Sequence, residues 1–584
     1  MSINIEKHFQ LPIYYNSQKK QVNNNIINDL ELIETVDGSN NPIYNYFFDF
    51  KEDVREKNIF AHSVMNKACE YYTTDTHFLK DNQQLIKNYT TFMHDYRSIK
   101  PEYNDILNLW NEIKQDTGFK EKYYFIDWPM WEFLNKSESF LECMSIYNMA
   151  SPVISLLLPI IILIIPFFII QLKGLCLTMS EYIEVLKIIV SQHALGKLFG
   201  EFNDVSLNQK FYLLISAAFY VFSIYQNILL CIRFHQNMTK IHEYFREIDF
   251  YLDYTIGRMN HYLSYSNYLN SHKGFNILLA DKIESLNTLK KKISFISEYK
   301  LSFKKIFEIG HILKYFYEIY DDSVYEDVFI YSFGFHGYLD CLEGIKTNID
   351  AKKINFIKFV NSKRKKNIKT IFKKNYYAAL KDGLPIKNNI KLNKNIIITG
   401  PNASGKTTIL KATLINIILS QQFGCGFYNE GSILNTFDYI HCYLNIPDTS
   451  GRDSLFQAEA RRCKEIIDFI QDHSKLEKHF CVFDELYSGT NPEEAESSAI
   501  SFMDYLVKNK NVSTILTTHY TKVCSTLETN ESIINYHMGV TLNKHTNDFQ
   551  YTYNLSEGIS KIKGGIKVLK DLNYPNEILE NIIR

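Results

Sequence analysis

Residues 400–407 read GPNASGKT, two glycines followed by a lysine and a hydroxyl at the spacing G-x-x-x-x-G-K-[ST]. The chemistry of that spacing is phosphate binding: glycines let backbone N–H groups close around phosphate oxygens. Lys406 can reach the β- and γ-oxygens of a nucleotide, and Thr407 can offer its hydroxyl to Mg²⁺. The candidate nucleotide-binding residues are Gly400, Pro401, Asn402, Ala403, Ser404, Gly405, Lys406, Thr407 and Thr408, with ATP and Mg²⁺ as the ligands implied. Asp484 closes an apolar run further on, where a carboxylate would hold Mg²⁺ through water together with Thr407. Glu485 beside it can orient and deprotonate an attacking water. Two acids ending a strand need no chemistry by themselves; beside a phosphate cradle they read as metal ligand and general base. His519 closes the next apolar run, where a lone histidine is more often structural than catalytic.

These residues need rigid elements to hold them. NIIIT (395–399), HFCVFDE (479–485) and VSTILTTH (512–519) read as buried strands, each followed by a helix, which is the pattern of an α/β domain with a mostly parallel sheet. The helix after the cradle is expected to carry Leu410, Leu414, Ile417 and Ile418 on one face. Ser454 and Gln457 form an S-x-x-Q capping box opening a helix that contains Ile466, Ile467 and Ile470. Asn491, Pro492, Glu493 and Glu494 supply an N-cap, a first-turn proline and acids, so another helix starts there.

Upstream the texture is helical. From Val153 to Ile170 only Ser155, Pro159 and Pro166 interrupt an apolar run, and a second run at 211–234 carries Gln226 and Asn227. The pair reads as a transmembrane hairpin, with two buried core helices as the alternative. Lysines and arginines flank both ends and set no orientation, so access to ATP places both termini in the cytosol. An amphipathic stripe (Ile283, Leu286, Leu289, Ile293, Ile296) marks a long packed helix. NSKRKKNIKTIFKK at 361–374 is the densest basic run; it suits either a solvated face or a phosphate backbone.

Composition bounds the rest. At 584 residues the chain holds several domains, and 64 Lys plus Arg against 65 Asp plus Glu leave no global field toward nucleic acid or anionic lipid. The ten cysteines show no zinc spacing and read as reduced, mostly buried thiols. No cleaved signal peptide is expected at the N-terminus.

TGPNASGK, DSLFQAEARR (453–462), DELYSGTNPEEA (484–495) and TTHY (517–520), in this order, resemble the ATPase domain of the MutS family, relatives of the ABC ATPases. The resemblance implies an ATP hydrolase acting as a head-to-tail dimer, in which a serine-led helix crosses to the partner's γ-phosphate. On this match Ser454 acts in trans, Gly489 and Thr490 face the second subunit, and His519 senses or polarises the γ-phosphate while Glu485 serves as base. GGIKVLKDLNYPNEILENI resembles the family's small helical dimerisation element, and TTDTHFLKDNQQLIKNY (73–89) its core domain. The hydrophobic hairpin departs from mismatch-repair MutS and resembles membrane-spanning MutS-type ATPases. Fewer than fifty residues precede the core-like region, so no mismatch-reading domain is expected in this sequence.

The expected organisation is an N-terminal segment (1–45), an all-α core-like region (46–150), a transmembrane hairpin (151–235, spans 153–170 and 211–232) and a helical lever region (236–375). An α/β ATPase domain of ABC type (376–555) and a helical dimerisation element (556–584) follow. The expected partners are a second copy of the chain, double-stranded DNA and membrane lipid. The function expected is a helical clamp driven by ATP, DNA-binding and mismatch-repair-like, with a membrane-anchored conformational ATPase free of nucleic acid as the alternative. The location follows from the hairpin: two-pass membrane with a cytosolic ATPase domain, or cytoplasmic if the hairpin is a buried core.

Overall fold

The computed structural model describes residues 4–38, 40–50, 59–94, 100–172, 178–192, 206–296, 303–360, 370–444, 454–543, 548–560, 562 and 574–575. Lys363, Arg364, Lys365 and Lys366 of the basic run, and most of the 556–584 element, lie outside these residues. The principal helices before the nucleotide motif are α1 (Ile59–Glu70), α2 (Thr76–His94), α3 (Tyr103–Gln115), α4 (Glu138–Leu172), α5 (Met179–Gln192), α6 (Leu207–Ser266), α7 (Lys273–Ile293), α8 (Phe303–Asp321) and α9 (Ser323–Asp350). The chain divides into two units, and neither is contiguous. One holds Ile99–Tyr254 and Ser285–Asp327; the other holds Ser2–Ser98, Thr255–Glu284 and Val328–Arg584.

In the first unit α4 and α8 cross at Gly310, where a Cβ would lie 2.3 Å from Glu138 O and 2.9 Å from Glu142 Cβ. Only glycine lets the two backbones approach so closely. Lys314 Nζ donates to Glu138 Oε1 at 2.8 Å beside this crossing. Phe119 packs against Phe316 and, at 4.1 Å between ring centroids, against Tyr320. Glu112 accepts hydrogen bonds from Lys122 at 2.7 Å and from Lys240 and Tyr244.

The apolar run at 153–170 lies wholly within α4, which passes through Pro159 and Pro166 without a break. The run at 211–232 lies within the 60-residue α6. Some of their polar groups meet, Tyr220 Oη donating to Ser155 O at 2.9 Å and Asn227 Nδ2 to Ser155 Oγ, whereas Gln226 is exposed. Many of their described apolar side chains are exposed, Val153 to 57 % and Phe219 to 68 %, although Leu213 is buried. Among the described residues, the Glu138–Leu157 part of α4 and helix α6 are long and apolar enough to cross a bilayer.

The second unit is built on a mixed sheet. After β1 (Thr370–Asn375) and β2 (Asn388–Leu392), which pair with each other, come β3 (Asn395–Thr399), α10 (Lys406–Phe423), β4 (Tyr439–Tyr443), α11 (Leu455–Asp472) and β5 (His479–Asp484). Next follow α12 (Pro492–Leu506), β6 (Val512–Thr518), α13 (Thr521–Leu527), β7 (Ile533–Asn543) and β8 (Asp548–Glu557). The six-stranded sheet runs β4-β5-β6-β3-β7-β8, parallel through β7 with β8 antiparallel at the edge. Asp484 pairs with Thr517, and Thr399 with Thr518, so the carboxyl ends of β5, β6 and β3 align. In parallel α/β sheets that end is where ligands bind.

α10 differs from its expected one-sided stripe: every residue from Ala412 to Phe423 is buried. The reason is a second layer. Gln422 Nε2 donates to Ala68 O and Tyr71 O, both at 3.0 Å, while Gln421 bonds Phe437 through both its side-chain oxygen and nitrogen at 2.8 Å. Buried amides are tolerated here because each is hydrogen-bonded.

Candidate nucleotide-binding site

Isoleucines 396–398, each fully buried, hold β3 in the sheet centre, and the chain leaves it at Gly400 in a loop that turns through left-handed backbone at Ala403 (φ 63°) and Gly405 (φ 93°). Gly405 is the N-cap of α10 and no side chain caps that end. The first N–H groups of the helix are thus left for an anion. Ser404 Oγ is buried without a hydrogen-bond partner, as a group meant to meet phosphate would be.

Lys406 is 5 % exposed, and its ammonium donates to Gly400 O at 3.0 Å and Pro401 O at 3.3 Å. It also lies 3.5 Å from Glu485 Oε1. Thr407 Oγ1 donates to Asp484 Oδ2 at 2.8 Å, and Thr517 Oγ1 donates to the other carboxylate oxygen. A hydroxyl and a carboxylate side by side at the foot of the cradle are hard oxygen donors, the set that suits Mg²⁺.

β5 and β6 end one residue sooner than their apolar runs read, at Asp484 and Thr518, and so Glu485 and His519 stand just beyond the sheet. Glu485 has φ 51° and its N–H still donates to Thr517 O at 3.0 Å, which turns its side chain out of the strand's alternation. His519 Nδ1 lies 3.7 Å from Glu485 Oε1. The imidazole of His519, and then the Lys406 ammonium, outweigh burial and hold the Glu485 carboxyl below its usual range. The shift keeps Glu485 ionised, the form in which a carboxylate can accept a hydrogen bond from water.

The cradle opens into a cavity of about 700 Å³ lined by Asn402, Ala403, Gly405, Lys406, Thr407 and Thr408 with Asp484 and Glu485. The remaining wall is largely apolar and aromatic, with Tyr377, Leu380, Pro385 and Ile386, and with Met538 and Tyr553 set against the cradle glycines. Sequence reasoning missed this wall. Tyr553 arrives from β8, where its ring would lie 3.1 Å from a Cβ at Gly405, and neither it nor the segment before β2 carries a local signal. Thr517 was missed too, although it stands inside the TTHY stretch.

Ser454 caps α11 with the capping box read from sequence: its Oγ accepts from Gln457 N at 3.3 Å and its N–H donates to Gln457 Oε1 at 3.0 Å. It is exposed and does not line the cavity; of the other candidates, Asn402, Ala403, Gly405, Lys406, Thr407, Thr408, Asp484 and Glu485 line it, while Gly400, Pro401, Ser404 and His519 do not. Asn491 caps α12 by accepting from Glu494 N at 3.0 Å, with Pro492 in the first turn, as expected.

Residues 396–583 match the family model of MutS domain V. The DNA mismatch repair protein MSH3 of Meyerozyma guilliermondii is 26% identical over 260 residues, 41% of this chain and 26% of that protein. The DNA mismatch repair protein MutS of Oceanobacillus iheyensis is 28% identical over 207 residues, 35% of this chain and 23% of that one. The endonuclease MutS2 of Lactococcus lactis subsp. cremoris is 29% identical over 198 residues, 33% of this chain and 24% of that one. The matched part of the chain thus spans about a quarter of the length of these relatives. The stretch similar to MutS domain V, 396–583, is the one that carries the cradle and most of its mixed α/β sheet.

Proposed function

We propose that the chain binds and hydrolyses ATP in a head-to-tail homodimer and couples that cycle to a helical clamp on double-stranded DNA. The observation that carries this reading is the single cluster formed by Lys406, Thr407, Asp484, Glu485 and His519 at the carboxyl end of a sheet that matches MutS domain V. The triphosphate lies along residues 400–408, with Lys406 exchanging loop carbonyls for phosphate oxygens. Tyr377 and Tyr553 offer π faces to the base. Thr407 and Asp484 would hold Mg²⁺, which would supply charge neutralisation to the triphosphate. Glu485 takes the proton of the attacking water, and His519 orients that carboxylate and the γ-phosphate.

Ser454 completes the site of the partner. Its exposure on a helix N-terminus, outside its own chain's cavity, favours that role. Closure of the dimer on ATP and reopening on hydrolysis then move the segments 46–150 and 236–375, which we read as core and lever. DNA binding rests on the mismatch-repair relatives and on the basic run at 361–374. It is tested with the detergent-solubilised full chain and a duplex across salt: affinity falling steeply with salt, and less steeply after Lys363, Arg364, Lys365 and Lys366 are replaced, is the expected result. No duplex binding at low salt removes DNA from the account.

A second reading, a membrane-anchored ATPase that remodels or drives transport, is favoured by the exposed apolar side chains of α4 and α6. On it the hairpin crosses lipid twice and the nucleotide site is cytosolic. Release of the chain into the supernatant on carbonate washing contradicts a spanning hairpin.

A further inference from the structure

Glu459 lies in the second turn of α11 and is 2 % exposed. A buried carboxylate persists only where donors meet its charge. Three donors come from one loop, Ser488 N at 3.1 Å, Ser488 Oγ at 2.9 Å and Gly489 N at 3.1 Å, and the Tyr443 hydroxyl on β4 also meets the carboxylate. That loop begins three residues after Glu485, and Glu485 and Tyr487 within the connection both sit at positive φ, 51° and 58°. Such backbone holds only when its surroundings fix it. The fixing contact is the first turn of α11. A Cβ at Gly489 would stand 2.7 Å from Leu455 Cγ and 2.8 Å from Phe456 N, so the loop backbone packs directly on the first turn of the helix with no room for a side chain at 489. Ser454 is the next residue back.

We propose that Glu459 is a positioning residue that locks the helix presenting Ser454 to the loop following Asp484 and Glu485, so that each chain's own nucleotide site governs the serine it offers to its partner. The inference rests on the reading of Ser454 as partner-directed. It adds that the two sites of the dimer communicate through one buried carboxylate. The path between Glu485 and Ser454 is short: a four-residue connection with two residues at positive φ, three hydrogen bonds from the loop to Glu459 and one helical turn, braced by Tyr443, whose hydroxyl meets both Tyr487 N and Glu459.

The test uses the full chain in detergent, measuring ATP turnover against ATP concentration and, separately, affinity for a fluorescent ATP analogue. In Glu459→Gln the amide sets a donor against the loop's donors, and at least one bond is lost. The expected result is analogue affinity within about twofold of wild type, kcat lowered roughly tenfold, and a Hill coefficient that falls to 1 from a wild-type value above it. Wild-type kcat and Hill coefficient in Glu459→Gln overturn the inference, and so does loss of analogue affinity in step with kcat. If Glu459→Gln does not fold, Ser488→Ala removes a single donor; a kcat lowered about threefold at unchanged affinity supports the coupling, and wild-type kcat overturns it. Ser454→Ala in the same assay separates the two claims. Turnover untouched by Ser454→Ala defeats the partner-directed reading itself, whereas turnover lost there but intact in Glu459→Gln and Ser488→Ala defeats only the coupling.

Discussion

Replacing Glu485 by glutamine keeps the shape of the side chain and removes its ability to take a proton. Glu485 Oε1 stands 3.5 Å from Lys406 Nζ and 3.7 Å from His519 Nδ1, with a third of the side chain exposed. A positioned general base contributes about 10²–10⁴ in rate, or ~2.7–5.5 kcal/mol of barrier, and that is the fall in kcat expected of Glu485→Gln. Affinity should move the other way. Removing one negative charge roughly 6 Å from the triphosphate, at an effective dielectric near 40, relieves ~1 kcal/mol of repulsion, so ATP binds equally well or up to about fivefold more tightly. Folding stability should change little, because the lost pair with Lys406 is partly solvated and worth at most ~1 kcal/mol. Phosphate release under steady state measures the first quantity, and titration with a fluorescent ATP analogue the second. Lys406→Ala is the contrast, since it removes the cation on the phosphates and should lose binding itself. Turnover of Glu485→Gln within threefold of wild type would refute the base assignment, and a tenfold weaker affinity would show that the residue serves binding instead.

Tyr553→Asn removes one aromatic wall of the cavity while tolerating the φ of 56° at that position, and should weaken ATP about tenfold without lowering saturated turnover. Gly310→Val forces a Cβ into Glu138 O at the crossing of α4 and α8 and should destabilise the fold by ~1–3 kcal/mol, read as a lower thermal midpoint in detergent. Glu112 gives a pH signature. Partial burial pushes its carboxyl up, but the bonds from Lys122, Lys240 and Tyr244 outweigh that and bring it down to about 2 from an ordinary 4.5. A carboxyl lowered on folding stabilises fully above its unfolded value and loses that contribution as pH falls through the folded one. The difference in thermal midpoint between wild type and Glu112→Gln should therefore be full above pH 4.5 and shrink toward pH 2; a difference that grows in acid contradicts the pairing.

The parts of the site that were legible in the sequence are those in which residue type dictates local backbone. The cradle at 400–407 needs its glycines and lysine in a fixed order, and the caps at Ser454 and Asn491 satisfy N–H groups within their own first turn. What depends on register was not legible. Thr517 meets Asp484 only because β5 and β6 pair in parallel with those residues opposite, and Tyr553 reaches the cradle only because β8 turns back antiparallel along β7. Helix α10 shows the same limit from the packing side. Its leucines and isoleucines announced one buried face, whereas Gln421 and Gln422 on the remaining surface are buried by main chain from remote segments. Between α4 and α6, the pairing of Tyr220 and Asn227 with Ser155 is a choice hydropathy alone does not make.

The central claim is that each ATP is held between two chains. Its most direct measurement mixes two inactive variants, Ser454→Ala and Lys406→Ala, and follows ATP turnover after subunit exchange. A mixed dimer pairs the intact cradle of one chain with the intact serine of the other, so the account predicts that activity returns to about a quarter of the wild-type sites, half the dimers being mixed and each holding one good site. A mixture no more active than its separate components, under conditions where the chains are shown to exchange, would contradict it.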